Sequence, residues 1–115
     1  MVKRLVLAIA LVGALAAVWS APAAQKGKAA GDAAKGKELF AQTCAPCHSA
    51  TSKTANVGPG LKGLFKEKTM PATGRPVSVA VVKSQIQKGG GGMPAFGSKY
   101  NAQELNDLIA YLRAL

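Results

Sequence analysis

Both cysteines and the only histidine of this 115-residue chain stand together in one stretch, Cys44-Ala45-Pro46-Cys47-His48. Two thiols three positions apart lie on the same side of one helical turn, and the histidine follows the second thiol directly. The two sulfurs can therefore hold one flat group at its edge while the imidazole lies over the face of that group.

This spacing is the attachment pattern of c-type haem (heme c), in which two thiols add to the two vinyl groups of the porphyrin as thioethers. The histidine that follows then binds the iron as the proximal ligand. The stretch predicts one haem, covalently bound through Cys44 and Cys47, with His48 on the iron.

Three other uses of two cysteines compete with haem attachment. The pair can form a simple disulfide, and Cys44-Ala45-Pro46-Cys47 also resembles the thioredoxin-type redox motif. That motif needs a βαβ setting with several apolar strands, and this sequence offers at best one. A zinc site needs a fourth ligand, and the chain has no further cysteine or histidine to close it. We therefore favour haem.

Two methionines after Met1, Met70 and Met93, compete for the sixth position on the iron, and each precedes a proline. Met93 follows the four glycines 89–92, which allow the backbone to approach a flat ring closely. It also stands far enough beyond His48 in the chain to reach the opposite face of the ring. Met70 lies nearer to His48, and lining the haem edge or filling a gap in the core suits it equally well. We predict Met93 as the second axial ligand.

The N-terminal segment has the layout of a secretory signal peptide. Lys3 and Arg4 precede the uncharged stretch 5–24, which ends in small residues. We expect residues 1–24 to be removed, with cleavage at about 20–24, and the protein to be periplasmic. A retained membrane anchor is the alternative, because the apolar run approaches the length that spans a bilayer. No membrane span is expected after cleavage.

The remainder divides into a flexible lead-in, residues 25–31, and one domain, residues 32–115. This length excludes a multidomain enzyme, and two cysteines exclude a disulfide-dense scaffold. The remainder is rich in glycine and has five aromatic residues, all Phe or Tyr. Such a core is thin unless a cofactor fills its centre.

Capping residues indicate three helices. Asp32 caps a helix that runs to about Thr43, and Asn101 with Glu104 forms a capping box for the last helix. In the stretch 76–82, β-branched valines alternate with other residues, and this pattern favours a strand. Ser78 can also cap a helix there, and we prefer the helix. A short helix is possible around 61–65.

With these residues placed, the chain resembles the small class I monohaem cytochromes c of bacteria, over about residues 31–115. The resemblance implies an all-α cytochrome c fold, with three to five helices packed around one covalently bound haem. Gly58-Pro59-Gly60-Leu61 looks like a stretch of this family in which the carbonyl of Pro59 accepts a hydrogen bond from His48. The resemblance also implies that the first and last helices cross. Gly36 and Phe40 on the first helix would then contact Leu108 and Tyr111 on the last.

Iron bound by His48 and Met93 has no open position for a substrate, so we expect a one-electron carrier that shuttles Fe(II)/Fe(III) between redox partners, and not an enzyme. The alternatives are a haem subunit of a larger oxidoreductase, or a peroxidase-like or ligand-binding haem protein if Met93 is labile. The four glycines before Met93 are the feature that favours such lability.

Charge indicates the partner. The net charge of +10 falls by two when Lys3 and Arg4 leave, so the surface stays basic and favours redox proteins with acidic docking surfaces. A merely solvated lysine surface is the simpler interpretation. Nucleic acid is not expected, because the lysines lack interleaved aromatic residues. The chain is expected to be a monomer.

Overall fold

The computed structural model describes residues 30–115; the predicted signal peptide and residues 25–29 of the predicted lead-in lie outside the described residues. Three α-helices, α1 (Ala33–Thr43), α2 (Val79–Lys88) and α3 (Ala102–Arg113), are joined by loops that contain a 3₁₀ turn at Leu64–Lys66. Over 30–115 there is no β-strand, only two isolated bridges. The predicted all-α fold is confirmed. No helix in this range is long and apolar enough to cross a membrane.

Each helix begins at the predicted capping residue. The Asp32 carboxylate accepts hydrogen bonds from the first turn of α1, and the Ser78 hydroxyl accepts one from the first turn of α2. Asn101 and Glu104 form the complete capping box of α3. A cap of this kind stabilises a helix by about 1 kcal/mol.

The structure decides the conformation of two segments for which the sequence left more than one interpretation. The alternating stretch 76–82 enters α2, because Ser78 is extended and caps the helix while Val82 and Ile86 bury one face of it. The short helix considered around 61–65 starts three residues later, at Leu64. Gly63 adopts a left-handed conformation with φ of 70°, which no residue inside a right-handed helix has, and the 3₁₀ turn begins only after it.

The main helix contact is the crossing of α1 and α3. At Gly36 the backbones approach so closely that a Cβ atom would lie 1.9 Å from the carbonyl oxygen of Asp107. One turn further, the rings of Phe40 and Tyr111 meet edge to face with 5.3 Å between centroids. Leu108 is fully buried at this crossing. The contact implied by the resemblance is present.

A buried carboxylate ties the start of α1 to α3. Asp107 is 4% exposed, and its Oδ1 accepts hydrogen bonds from the backbone N–H of Asp32 at 2.7 Å and from the Gln103 side chain at 3.0 Å. The positive end of the α1 dipole also favours a negative charge there. Because α1 is held at its start, its other end, where Cys44 follows, has a defined position.

The core is small, as the composition predicts. Its buried side chains come from all three helices and the two long loops: Phe40, Leu64, Met70, Val82, Ile86, Tyr100, Leu105, Leu108, Ile109 and Leu112. Met70 is one of them, at 8% exposed. Its thioether therefore fills a gap between apolar side chains, which is an ordinary use of methionine.

Candidate haem site

The predicted attachment residues continue the last turn of α1. The N–H of Cys44 bonds to the Phe40 carbonyl at 2.8 Å, and the N–H groups of Cys47 and His48 both bond to the Cys44 carbonyl, at 3.1 and 2.9 Å. This winding puts both thiols and the imidazole on one turn. The two cysteines are half-buried and are not joined in a disulfide.

The imidazole of His48 is oriented by the loop that follows. Its Nδ1 lies 2.8 Å from the carbonyl oxygen of Pro59, which is the contact that the resemblance implies. A carbonyl can only accept, so Nδ1 carries the proton and Nε2 keeps its lone pair for a metal. Such a contact fixes the tautomer and makes the imidazole a better donor.

Gly58 allows this loop to lie against the ring. Its N–H bonds to the Cys47 carbonyl at 2.8 Å, and a Cβ atom placed on it would lie 2.4 Å from Cε1 of His48. A side chain at this position would push the imidazole away from Pro59. The glycine is therefore required by the orientation of His48.

We predict that Gly58→Ala destabilises the haem-loaded protein by about 2 kcal/mol, because the added methyl group overlaps a ring held by a hydrogen bond. Thermal unfolding followed by circular dichroism measures this effect. Val57→Ala is the matched control, since Val57 is 78% exposed and should leave the melting temperature unchanged. Equal melting temperatures for Gly58→Ala and the parent would contradict the steric account.

The acidity of Cys44 argues against a thiol–disulfide oxidoreductase. The pKa of the Cys44 thiol is raised to about 11, first by burial and then by the nearby Cys47, while Lys99 opposes the shift. A redox-active cysteine needs a lowered pKa, because the thiolate is the nucleophile. Thioether formation does not need an acidic thiol in the folded protein.

The Met93 loop has an unusual backbone. All four glycines 89–92 have positive φ, between 63° and 118°, which other residues rarely adopt. At Gly89 a Cβ would also lie 2.4 Å from the Met93 carbonyl oxygen. Gly90 and Met93 close a tight turn through two reciprocal backbone hydrogen bonds, of 2.9 and 3.2 Å. Met93 is half-buried in this turn and packs against the edge of the core, whereas Met70 is buried within the core.

Tyr100 carries a buried hydroxyl without a protein partner. Its side chain is 7% exposed, and the hydroxyl makes no hydrogen bond within residues 30–115. Burial raises the pKa of Tyr100, the nearby Thr43 side chain opposes the shift, and Cys44 and Glu104 add to it. An unpaired buried hydroxyl is costly. A polar group of a cofactor held at Cys44 fits it.

The donor set therefore fits a c-type haem: two unpaired thiols, an imidazole with a defined tautomer, a thioether at the edge of the core and a buried hydroxyl. One contributing residue was not predicted from the sequence. The Gln85 side chain lies 3.2 Å from the Gly90 carbonyl oxygen and 3.8 Å from the Met93 sulfur. The only sequence feature that points to Gln85 is its position, one helical turn before the four glycines.

Comparisons with known proteins agree with this site. A family profile described as "Cytochrome C oxidase, cbb3-type, subunit III" matches residues 31–112. The cytochrome c6 of Rippkaea orientalis is 35% identical over 112 residues, covering 97% of this chain and 93% of that protein. The cytochrome c6 of Synechocystis is 36% identical over 83 residues, or 72% of this chain and 65% of that protein.

A solved structure supports the fold. The crystal structure of cytochrome c6 from the diatom Phaeodactylum tricornutum superposes with a TM-score of 0.58 at 27% identity, covering 73% of this chain and 93% of that one. The fold and the relatives define a small class I monohaem c-type cytochrome, an electron-transfer protein and not an enzyme, with a covalently bound haem. The chain belongs to the family whose profile matches it, described as cbb3-type cytochrome c oxidase subunit III.

Proposed function

We propose that this chain is a one-electron carrier whose haem is attached through Cys44 and Cys47 and whose iron is bound by His48 and Met93. The contact of 2.8 Å between His48 Nδ1 and the Pro59 carbonyl carries the proposal, because it leaves Nε2 as the nitrogen that can bind iron. The half-buried thiols on the same turn support attachment beside it.

Bound haem iron supplies one-electron Fe(II)/Fe(III) chemistry, and thioether ligation raises its reduction potential. With His48 and Met93 as its ligands, the iron would have no position left for a substrate. The Pro59 carbonyl, which accepts from His48 Nδ1, would keep the imidazole in one orientation toward the iron.

Mass spectrometry tests the attachment most simply. Protein made together with the cytochrome c maturation machinery should carry one haem per chain and no thiol that an alkylating reagent can modify. A haem-free chain with two modifiable thiols would contradict the proposal and revive the dithiol alternative.

We propose that the carrier works in the periplasm after residues 1–24 are removed. The support is the basic, apolar and small-residue order of that segment in the sequence. N-terminal sequencing of the exported protein should begin at about residues 21–25. An intact Met1 in the exported protein would favour the retained membrane anchor.

The partner we propose is a redox protein with an acidic docking surface. The support is an excess of basic side chains, of which Lys62, Lys66, Lys68, Lys88 and Lys99 are exposed. Lys53 is exposed too but pairs with Glu67, so its charge is offset. Lys99 lies close enough to Cys44 to lower the pKa of that thiol, which puts one positive charge beside the proposed attachment site.

Charge steering predicts that electron transfer to an acidic partner slows as salt is added, because exposed charges are screened. Lys99→Glu should lower the rate at low ionic strength, and Lys37→Glu, an equal change of net charge on exposed α1, should lower it less. Stopped-flow kinetics over a salt series measures both variants. A rate that stays flat or rises with salt would contradict basic steering.

A second candidate is a haem subunit of a larger oxidoreductase. The description of the matching family, as a subunit of an oxidase, favours it. Size-exclusion chromatography of the protein from its native source separates the two candidates. A free carrier elutes as a monomer, and a subunit elutes with a larger complex.

A further inference from the structure

We propose that a surface groove between α2 and α3 binds the anionic headgroups of a phospholipid membrane. This α2–α3 groove has a volume of about 320 Å³. None of the proposed haem-site residues lines it, so its ligand would be separate from the electron-transfer site. Its lining combines apolar and basic side chains: Ala30, Val79, Lys83, Asn106, Ile109 and Arg113.

Two positive charges in the α2–α3 groove have no carboxylate partner. Within residues 30–115, no carboxylate oxygen lies within 4.0 Å of Lys83 Nζ or of the Arg113 guanidinium. Lys83 donates a hydrogen bond to Oδ1 of Asn106, which is a neutral acceptor, and Arg113 lies 6.0 Å from the centroid of the Phe65 ring. Both charges therefore remain available to an anion.

The acidic side chains of the neighbouring helices are already occupied. Helix α2 contains none. The carboxylate of Asp32 caps α1, and that of Glu104 accepts the N–H of Asn101 in the capping box of α3. Asp107 is 4% exposed and accepts the N–H of Asp32. Since each of these carboxylates serves the fold, the groove keeps an excess of positive charge that attracts anions.

The polar groups of the groove are hydrogen-bond donors. The ammonium group of Lys83 has three hydrogens, of which Asn106 takes one. Because Asn106 accepts with Oδ1, its amide nitrogen faces away from Lys83 and keeps its own hydrogens. Phosphate oxygens only accept, and Arg113 offers them a planar fork of donors. A phosphate group therefore matches this set.

The apolar part of the lining favours a lipid over a free phosphate ion. Val79 is half-buried at the start of α2, and Ile109 is buried on the facing side of α3. A free phosphate has no apolar surface to place against these side chains. The headgroup of a phospholipid carries its phosphate next to apolar chains, as the groove places its two cations next to Val79 and Ile109.

The chain enters the domain beside the α2–α3 groove. At Gly31 the backbone packs directly on α3, because a Cβ atom there would lie 2.1 Å from the carbonyl oxygen of Asn106. Ala30, the residue before it, lines the groove. Whatever precedes Ala30 in the chain therefore starts at the edge of the groove.

The preceding sequence favours a membrane as the occupant. The uncharged stretch 5–24 ends six positions before Ala30, and a chain of that length spans at most about 20 Å. If the stretch is retained as an anchor, the groove lies near the bilayer. If it is removed, Lys26 and Lys28 still add two positive charges close to the groove. Both cases favour an anionic membrane surface.

Binding at this groove would leave the proposed haem site free. The groove lies at the starts of α1 and α2, where Ala30 and Val79 are found. Cys44 follows the end of α1 and Met93 follows the end of α2, and helices of these lengths measure about 15 Å. A carrier held on the membrane by the groove would therefore still offer its other end to a redox partner.

Vesicle binding by the reduced holoprotein tests the proposal. The protein should bind vesicles that contain phosphatidylglycerol and should not bind pure phosphatidylcholine. Lys83→Gln/Arg113→Gln should weaken binding by about 25-fold, because each basic side chain near an anionic surface contributes about fivefold. Lys37→Gln/Arg75→Gln is the matched control: it removes the same two charges at exposed positions outside the groove and should weaken binding by about twofold.

Three outcomes of these experiments would overturn the proposal. Equal weakening in both double variants would show that net charge and not the groove decides binding. Equal binding to phosphatidylcholine would remove the role of the anionic headgroup. If Lys83→Gln/Arg113→Gln slows electron transfer to an acidic redox protein and leaves vesicle binding unchanged, the groove docks a protein instead.

A second measurement needs no substitution. In nuclear magnetic resonance of the reduced holoprotein, vesicles with a spin-labelled phosphatidylglycerol headgroup should broaden the amide signals of Val79, Lys83 and Ala110 before those of residues 90–92. Broadening that begins at 90–92 would place the membrane at the Met93 loop and overturn the proposal. Inorganic phosphate, at the concentration of the lipid, should leave these signals unchanged; equal shifts would identify a free-anion site instead. None of these results depends on which side chains bind the iron.

Discussion

Without its haem, the protein is expected to be largely unfolded. The core has ten buried side chains, from the three helices and the loops between them, and a core of this size rarely supplies more than about 3–5 kcal/mol. Several large side chains only border that core, among them Leu61, Phe65, Met93 and Phe96. Coupling between folding and binding of a central group is the common behaviour of such small domains.

Far-UV circular dichroism of the Cys44→Ala/Cys47→Ala protein, which cannot attach haem, measures how far the haem-free chain folds. We expect little helical signal and no cooperative melting. The control is the unsubstituted chain made in cells without the maturation machinery. It should give the same spectrum as the substituted protein, which would show that the two alanines do not themselves cause the unfolding. A haem-free chain with full helical signal and a cooperative transition would contradict the expectation.

Gly36→Ala should destabilise the haem-loaded protein by about 3 kcal/mol, the upper part of the range for overpacking. The added Cβ would lie 1.9 Å from a backbone oxygen of α3, which cannot rotate away as a side chain would. The sign is diagnostic, because alanine in place of glycine inside an unobstructed helix stabilises by about 1 kcal/mol.

Urea unfolding of the holoprotein measures the effect of Gly36→Ala. Lys37→Ala, at the next and exposed position of α1, is the matched control and should change stability little. A stabilised Gly36→Ala protein would show that α1 and α3 do not approach as closely as described.

Local signals were the most readable part of the sequence. Asp32, Ser78 and Asn101 each cap a helix through an acceptor within three residues of the donor, so the pattern is visible in the chain itself. The stretch 76–82 was harder, because β-branched residues suit a strand by propensity. Burial of Val82 and Ile86 against the rest of the core decides in favour of the helix.

The attachment stretch was readable because its chemistry needs adjacent residues. The contact between His48 and Pro59 came only from the family resemblance, since the two residues are 11 positions apart with a loop between them. No spacing rule connects an imidazole to a carbonyl at that distance in the chain.

Two roles were not predicted from the sequence, that of Asp107 in the fold and that of Gln85 beside Met93, and the reason is the same for both. Asp107 bonds to the backbone of Asp32, 75 positions away, and in the sequence it is one more polar residue on an amphipathic helix. Gln85 reaches Met93 only because four glycines with positive φ fold the loop back toward α2. Both roles depend on how the chain turns, and glutamine or aspartate on a helix carries no mark of its partner.

The absorption spectrum of the oxidised and reduced holoprotein tests the ligation by His48 and Met93 most directly. The oxidised parent should show the far-red band that is the usual sign of methionine ligation in this family. The band should be lost in Met93→Ala and kept in Met70→Leu, a volume-conserving change in the core. The reduced parent should bind carbon monoxide slowly. A parent without the band, a band lost in Met70→Leu, or rapid binding of carbon monoxide by the reduced parent would contradict the account.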